Sequence, residues 1–111
     1  MEITINARHC SVPDSLRNQA AQRLGRLERL DRRITAATLV FDGAANDRRA
    51  EARIAVAGGP PLVGQGRAAT LRAAMDGAIS RLERQLKRRR ERMIDRRTRR
   101  IPAARTDSTV P

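Results

Sequence analysis

Most of the side chains in this chain that could bind a ligand or take part in a reaction are arginines. Lys87 is the single lysine among 24 basic residues, which stand against 12 acidic ones in 111 residues. The resulting net charge of +12 attracts polyanions, whatever the fold. Guanidinium groups bind phosphate oxygens bidentately and also stack on bases, so this composition favours an RNA partner.

Four arginines near the end of the chain recur with helical spacing. They are Arg81, Arg84, Arg88 and Arg92, here called the arginine ladder. At about 100° per residue they fall within a sector of about 80° and extend roughly 16 Å along one side of a helix. Residues 81–100 contain eleven basic and three acidic side chains, so few carboxylates are near enough to neutralise the cations. This imbalance favours a polyanionic partner over a merely solvated helix face.

An earlier helical segment has a similar arrangement. Arg26, Arg29 and Arg33 occupy the flank that corresponds to the ladder, and Glu28 lies on the opposite one. Arg23 projects near the centre of the apolar stripe, so its guanidinium must reach solvent or pair with another group. The spacing predicts two helices that present arginines on the same flank to a phosphate backbone.

Few residues of this chain could form a metal site or a catalytic site. His9 and Cys10 are adjacent, but the chain has no further histidine or cysteine with which to build a metal cluster or a catalytic pair. Asp42 and Asp47 lie in a segment typical of a turn and lack the alternating ligands of a calcium loop. We therefore expect no enzyme activity, no metal or other cofactor, and no small-molecule substrate.

The start of the chain and its overall hydropathy bear on location. Residues 1–8 alternate like a strand and lack the apolar core of a signal peptide. No run approaches the roughly 18 apolar residues of a membrane span. A single cysteine also suits a reducing compartment. We expect a cytoplasmic protein with no membrane partner.

The elements that would position the arginines follow from periodicity. Residues 1–8, 34–41 and 49–56 have the composition or alternation of strands, and residues 62–66 form a weaker fourth strand that contains two glycines. Ser11 is the predicted N-cap of the first helix, and Thr70 that of the second. The apolar stripes of these helices comprise Leu16, Ala20, Leu24, Leu27 and Leu30 in the first, and Leu71, Met75, Ala78, Ile79, Leu82 and Leu86 in the second.

The predicted order is β-α-β-β-β-α, an α+β fold in which both helices cover one face of a four-stranded sheet. Residues 1–92 would form this domain, and residues 93–111 a basic and then disordered tail. No helix-turn-helix, zinc finger or zipper pattern points to a DNA operator. Phe41 is the single aromatic residue, which argues against a base-stacking platform.

Several segments resemble the family of ribosome hibernation promoting factors and ribosome-associated inhibitor A proteins, in its short form. They include Ile3–Ile5, Arg8–His9, Arg23–Arg29, Asp31–Thr35 and Leu82–Lys87. The resemblance implies a fold like that of double-stranded-RNA-binding domains. It also implies binding to 16S rRNA of the small ribosomal subunit, in the channel used by mRNA and tRNA. Such proteins stop translation and stabilise inactive ribosomes under stress and in stationary phase.

The family's basic positions map onto Arg23, Arg26, Arg81, Arg84, Lys87, Arg88 and Arg90. Together with the helical-wheel analysis, the predicted RNA-binding residues are Arg23, Arg26, Arg29, Arg33, Arg81, Arg84, Lys87, Arg88, Arg90 and Arg92.

Two alternatives remain open at the level of sequence. Charge alone would suit a general nucleic-acid chaperone or DNA-compacting protein. A protein-interaction module could instead use an exposed sheet face, with the arginines serving solubility. The sequence also leaves open whether the protein promotes ribosome dimers or inactivates single ribosomes.

Overall fold

The chain folds in the predicted order of elements. The computed structural model describes residues 1–43 and 47–109, with side chains as far as Arg92. Its elements are β1 (Glu2–Arg8), α1 (Asp14–Arg26) followed by a 3₁₀ turn (Leu27–Arg29), β2 (Ile34–Asp42), β3 (Arg48–Val56), β4 (Leu62–Ala68) and α2 (Leu71–Thr109). The α+β class is confirmed. The middle of the turn predicted over residues 42–47 lies outside the described residues.

The four strands form one mixed sheet in the order β1-β2-β3-β4. β1 pairs in parallel with β2, because α1 carries the chain back between them, whereas β2–β3 and β3–β4 are antiparallel. The register places Phe41 opposite Ala50 and Ala52 opposite Gly64. These residues share one face of the sheet, since side chains alternate between faces along each strand.

That face carries the whole core, and both helices pack on it as predicted. Buried residues of α1, of β2 and β3 and of α2 form a single hydrophobic cluster, against which partly buried residues of β1 and β4 pack. The largest fully buried side chains are Leu24, Leu27, Leu39, Phe41, Ile54, Met75, Ile79, Leu82 and Leu86. The opposite face of the sheet has no covering element among the described residues, so its side chains are available to a partner.

Two glycines bring α2 unusually close to β4. Gly64 and Gly66 occupy inward positions on that strand and are buried. A Cβ atom on Gly66 would collide with the main chain of α2 at Ala74, and one on Gly64 with the main chain at Ala78. The glycines that weaken the strand signal in the sequence therefore permit close helix–sheet packing, which fixes the height of α2 over the edge of the sheet.

The first helix begins later than predicted. Pro13, not Ser11, is the N-cap, and its carbonyl oxygen accepts hydrogen bonds from the main-chain N–H groups of Leu16 and Arg17. Pro13 keeps an extended ψ of 151°, which delays the first helical turn. The predicted cap of α2 is confirmed, since the Thr70 hydroxyl accepts a hydrogen bond from the N–H of Ala73 at 3.1 Å.

The backbone of α2 continues to Thr109, through residues for which the sequence predicts a basic segment and then a disordered tail. Four of the eight residues at 93–100 are arginine, which has good helix propensity and favours continuation of the helix beyond the core. Leu86 is the last described residue of α2 that is buried in the core. Residues 110 and 111 lie outside the described residues.

Candidate nucleic-acid interface

The arginine ladder lies on the flank of α2 that overhangs the edge strand β4. The position of this flank is set by Gln85, whose Nε2 donates a hydrogen bond of 2.8 Å to the carbonyl oxygen of Val63. Arg81, Arg84, Arg88 and Arg92 are all exposed. Because Leu82 and Leu86 are buried beside them, the packing of α2 turns the ladder outward past the sheet.

At one end of this flank, the ladder meets the open face of the sheet. A cleft of about 500 Å³ there is lined by residues of all four strands and by Arg81. The register aligns Arg8, Asp42, Arg49 and Arg67 in one row across the strands. We call the cleft lined by these strands and Arg81 the strand-face cleft. Asp42 and Glu51 also line it, so its charge is mixed, though basic overall.

At the other end lies a second cleft of about 500 Å³, here called the Gln85 cleft. Its lining residues are Arg33, Pro60, Leu62, Gln85, Arg88, Arg89 and Arg92. Arg89 reaches over the β3–β4 loop, where its guanidinium fills the space beside Gly59. No carboxylate is among the described residues that line this cleft. Four guanidinium groups therefore surround a partly apolar floor.

The opposite flank of α2 faces α1 and is joined to it by a double ion pair. The Arg23 guanidinium donates through Nη1 to Asp76 and through Nη2 to Glu83 at 3.2 Å. This explains how an arginine near the apolar stripe of α1 is accommodated. Its side chain retains only 26% of its exposure, so the sequence-predicted RNA contact at Arg23 is already occupied by carboxylates.

Three other predicted residues lie along the same seam between the helices. Arg26 follows Arg23 by three positions, and Lys87 and Arg90 follow Glu83 by four and seven, so helical periodicity places them on the facing sides of α1 and α2. All three are exposed. The sequence predicts that both helices present arginines on the same flank. In the structure α2 lies between this seam and the ladder, while Arg33 lines one cleft together with Arg88 and Arg92 of the ladder.

Most of the predicted cations form no ion pair with a carboxylate of the described residues. Arg33 is an exception: it pairs with Asp31 at 2.9 Å and, by hydrogen bonding, holds the pKa of that carboxyl below its usual value. Arg23 and Arg33 are the predicted residues that form ion pairs. Within residues 1–43 and 47–92, no carboxylate forms an ion pair with any of the other eight. These unpaired residues are Arg26, Arg29, Arg81, Arg84, Lys87, Arg88, Arg90 and Arg92.

The structure adds four arginines that the sequence prediction omitted. Arg8, Arg49 and Arg67 line the strand-face cleft, and Arg89 lines the Gln85 cleft. Arg67 pairs with Asp47 at 3.0 Å, so that cation is partly compensated. Strand alternation already places the first three on the polar face of the sheet, but only the register between strands aligns them. On a helical wheel Arg89 falls within the sector of the apolar stripe, so the wheel does not group it with the other exposed arginines.

The remaining candidates have structural explanations. His9 has a positive φ of 53°, which ends β1 in a turn, and Cys10 packs at the margin of the core. Neither lines either cleft. Among the described helices, none combines the length and apolar character needed to cross a bilayer.

Comparison with known proteins identifies the family. A family model described as "Sigma 54 modulation protein / S30EA ribosomal protein" matches residues 3–94. The chain belongs to this family. A ribosome hibernation promoting factor of Azotobacter vinelandii is 31% identical over 111 residues, which cover all of both chains. A ribosome hibernation promotion factor of Mycobacterium tuberculosis is 32% identical over 96 residues, and the match spans 82% of this chain but 44% of that protein.

Solved structures of similar proteins share the fold. The N-terminal domain of Thermus thermophilus Protein Y is 32% identical and superposes with a TM-score of 0.71, covering 79% of this chain and 98% of that one. A ribosomal subunit interface protein from Coxiella burnetii has a TM-score of 0.73 at 18% identity, covering 82% and 99%. The sequence-based assignment to the ribosome hibernation promoting factors is thus confirmed.

Proposed function

We propose that this chain is a cytoplasmic, ribosome-associated translation inhibitor that binds 16S rRNA in the mRNA and tRNA channel of the small ribosomal subunit. In this role it stabilises inactive ribosomes under stress. Its action is binding rather than catalysis. The names of its relatives, which refer to ribosome hibernation and to a ribosomal subunit interface, support the ribosome as the partner.

The observation that carries the proposal is the distribution of unpaired cations on two sides of α2. The ladder faces away from α1, while Arg26, Lys87 and Arg90 line the seam between the helices. One straight duplex presents its phosphates to one side of a protein and cannot neutralise both sets at once. RNA that surrounds the domain, as the walls of a channel do, contacts both. The structure therefore favours folded ribosomal RNA over a general duplex binder.

Sedimentation with ribosomal subunits tests this proposal. The full chain is mixed with purified small subunits and spun through sucrose at increasing salt, alongside a competing RNA duplex. We expect the chain to remain with the subunit at salt concentrations that release it from the duplex. Equal retention on both would favour the alternative of a general nucleic-acid chaperone or DNA-compacting protein and would overturn the proposal.

Paired substitutions test the two cationic sets separately. Arg81→Gln with Arg84→Gln removes part of the ladder, and Lys87→Gln with Arg90→Gln removes part of the seam; glutamine keeps the helix propensity of the replaced residues. Both pairs should weaken subunit binding and relieve inhibition of cell-free translation. The matched control, Arg32→Gln with Arg53→Gln, removes the same charge at exposed positions outside both sets. If the control impairs binding equally, net charge and not position is responsible.

A further inference from the structure

We infer that the Gln85 cleft binds a single unpaired nucleotide of the RNA, with a preference for adenine. This inference rests on the RNA binding proposed above and adds a base-specific contact to it. At about 500 Å³ the cleft lies within the range of roughly 300–1,000 Å³ that is usual for small-ligand pockets. It differs from the strand-face cleft, which Asp42 and Glu51 also line.

The lining of the cleft matches both halves of a nucleotide. Arg88, Arg89 and Arg92 supply guanidinium groups for phosphate oxygens. Pro60 and Leu62 supply apolar surface against which the face of a base can lie, and a guanidinium plane can stack on its other face. A base inside a duplex is stacked and paired, so only an unpaired nucleotide can enter the cleft with its base.

Gln85 provides hydrogen bonds that can hold that base. Its Nε2 donates to the carbonyl oxygen of Val63, and a carbonyl can only accept, so the amide orientation is determined. One N–H and the Oε1 acceptor remain on the same amide. Adenine offers the complementary pair, an exocyclic amino donor beside a ring nitrogen acceptor, which is the usual partner of a glutamine amide. Uracil also offers this amide a donor beside an acceptor, N3–H next to a carbonyl oxygen, but its single ring has less surface to stack on Pro60 and Leu62 than the two rings of adenine.

The amide is also held rigidly, which favours binding. Leu82, three residues before Gln85, and Leu86, the residue after it, are fully buried. The tether to Val63 connects α2 to the edge of the sheet at the same place. Because the amide is ordered before binding, little conformational entropy is lost when the base arrives.

Binding to short RNA hairpins tests the inference without ribosomes. Fluorescence anisotropy with the full chain compares three hairpins that differ only in one position: fully paired, one unpaired adenine, or one unpaired uracil. We expect the adenine hairpin to bind about five-fold more tightly than the paired one, the lower end of what one stacked base contributes. It should also bind more tightly than the uracil hairpin. Equal affinity for all three would overturn the inference.

Variants assign the effect to the cleft. Gln85→Ala and Arg89→Gln should each reduce the advantage of both unpaired hairpins over the paired one. Arg84→Gln is the matched control: it removes a charge on the same helix outside the cleft and should weaken all three hairpins equally. If Gln85→Ala lowers the melting temperature, Gln85→Met replaces it. An undiminished advantage of the unpaired hairpins in the folded Gln85 variant would refute the assignment.

Failure of this inference and failure of the proposed function have different signatures. A chain that sediments with small subunits but binds the three hairpins equally refutes the nucleotide site alone. A chain that prefers the adenine hairpin but does not sediment with subunits supports the nucleotide site and refutes the ribosomal role.

Discussion

The interhelical ion pairs of Arg23 allow a sharp test that separates structural from RNA-binding arginines. Sequence analysis places Arg23 among the RNA-binding residues, whereas in the structure its guanidinium bridges Asp76 and Glu83. Arg23→Met removes the charge and keeps a long aliphatic side chain. We predict that this variant loses folding stability and retains RNA affinity, while Arg88→Gln does the reverse.

The size of the stability loss follows from the exposure of the three side chains. Arg23 is 26% exposed, Asp76 52% and Glu83 37%, so solvent screens both pairs considerably. Partly exposed pairs contribute about 0.2–1 kcal/mol each, so the two together stabilise the fold by about 0.4–2 kcal/mol at low salt. In a small domain, each kcal/mol lost lowers the melting temperature by about 4–8 °C.

Urea unfolding in a double-mutant cycle measures the contribution directly. The cycle combines Arg23→Met with Asp76→Asn, and separately with Glu83→Gln, at low and at high NaCl. The coupling free energy should be positive for both pairs and should shrink at high salt, because ions screen charges that are this exposed. A coupling free energy indistinguishable from zero at low salt would refute a stabilising role for the double ion pair of Arg23.

The salt dependence of RNA binding completes the test. Each phosphate contact contributes about 0.7–0.9 to the slope of log affinity against log salt concentration. Arg88→Gln should reduce this slope by about that amount, whereas Arg23→Met should leave it nearly unchanged. If the slope of log affinity against log salt concentration fell by a full unit in Arg23→Met, RNA would displace the carboxylates from Arg23. The sequence-based assignment of Arg23 to RNA binding would then be right.

Three further predictions concern the glycines and the Asp31–Arg33 pair. Gly66→Ala should destabilise the domain by about 1–3 kcal/mol in thermal unfolding, since the new Cβ atom would meet the main chain of α2. Gly25→Ala should instead stabilise it by about 0.5–1 kcal/mol, because this helical position has open space around it; a loss of stability there would contradict the geometry. The hydrogen bond from Arg33 lowers the pKa of Asp31, so its contribution to stability should be complete above a pH of about 4 and be lost as the pH falls through the folded pKa. NMR titration of that carboxyl, with Arg33→Gln as the comparison, should show the pKa rise in the variant.

Much of the fold could be predicted because the relevant signals are local. Alternation along β1 and β3 indicates strands with one apolar face, and the stripe from Met75 to Leu86 indicates an amphipathic helix. With one apolar face on each element, a single layer of helices on a single sheet is the simplest way to bury them all. The start of α1 was misplaced because Ser11 has the side chain of a good cap, while Pro13 controls the backbone.

The amino-acid sequence by itself determined the element types, the side of each element that enters the core, the excess of cations and the ladder along α2. The excess of cations is a matter of composition, and the other three depend on spacings of two to four residues. Only the tertiary structure decided which cations meet carboxylates and which remain available. Arg23 and Asp76 are 53 positions apart, and they meet because Gly64 and Gly66 let α2 lie close to the sheet beside α1. Likewise, Arg8, Arg49 and Arg67 share a row through strand register, which local periodicity does not specify.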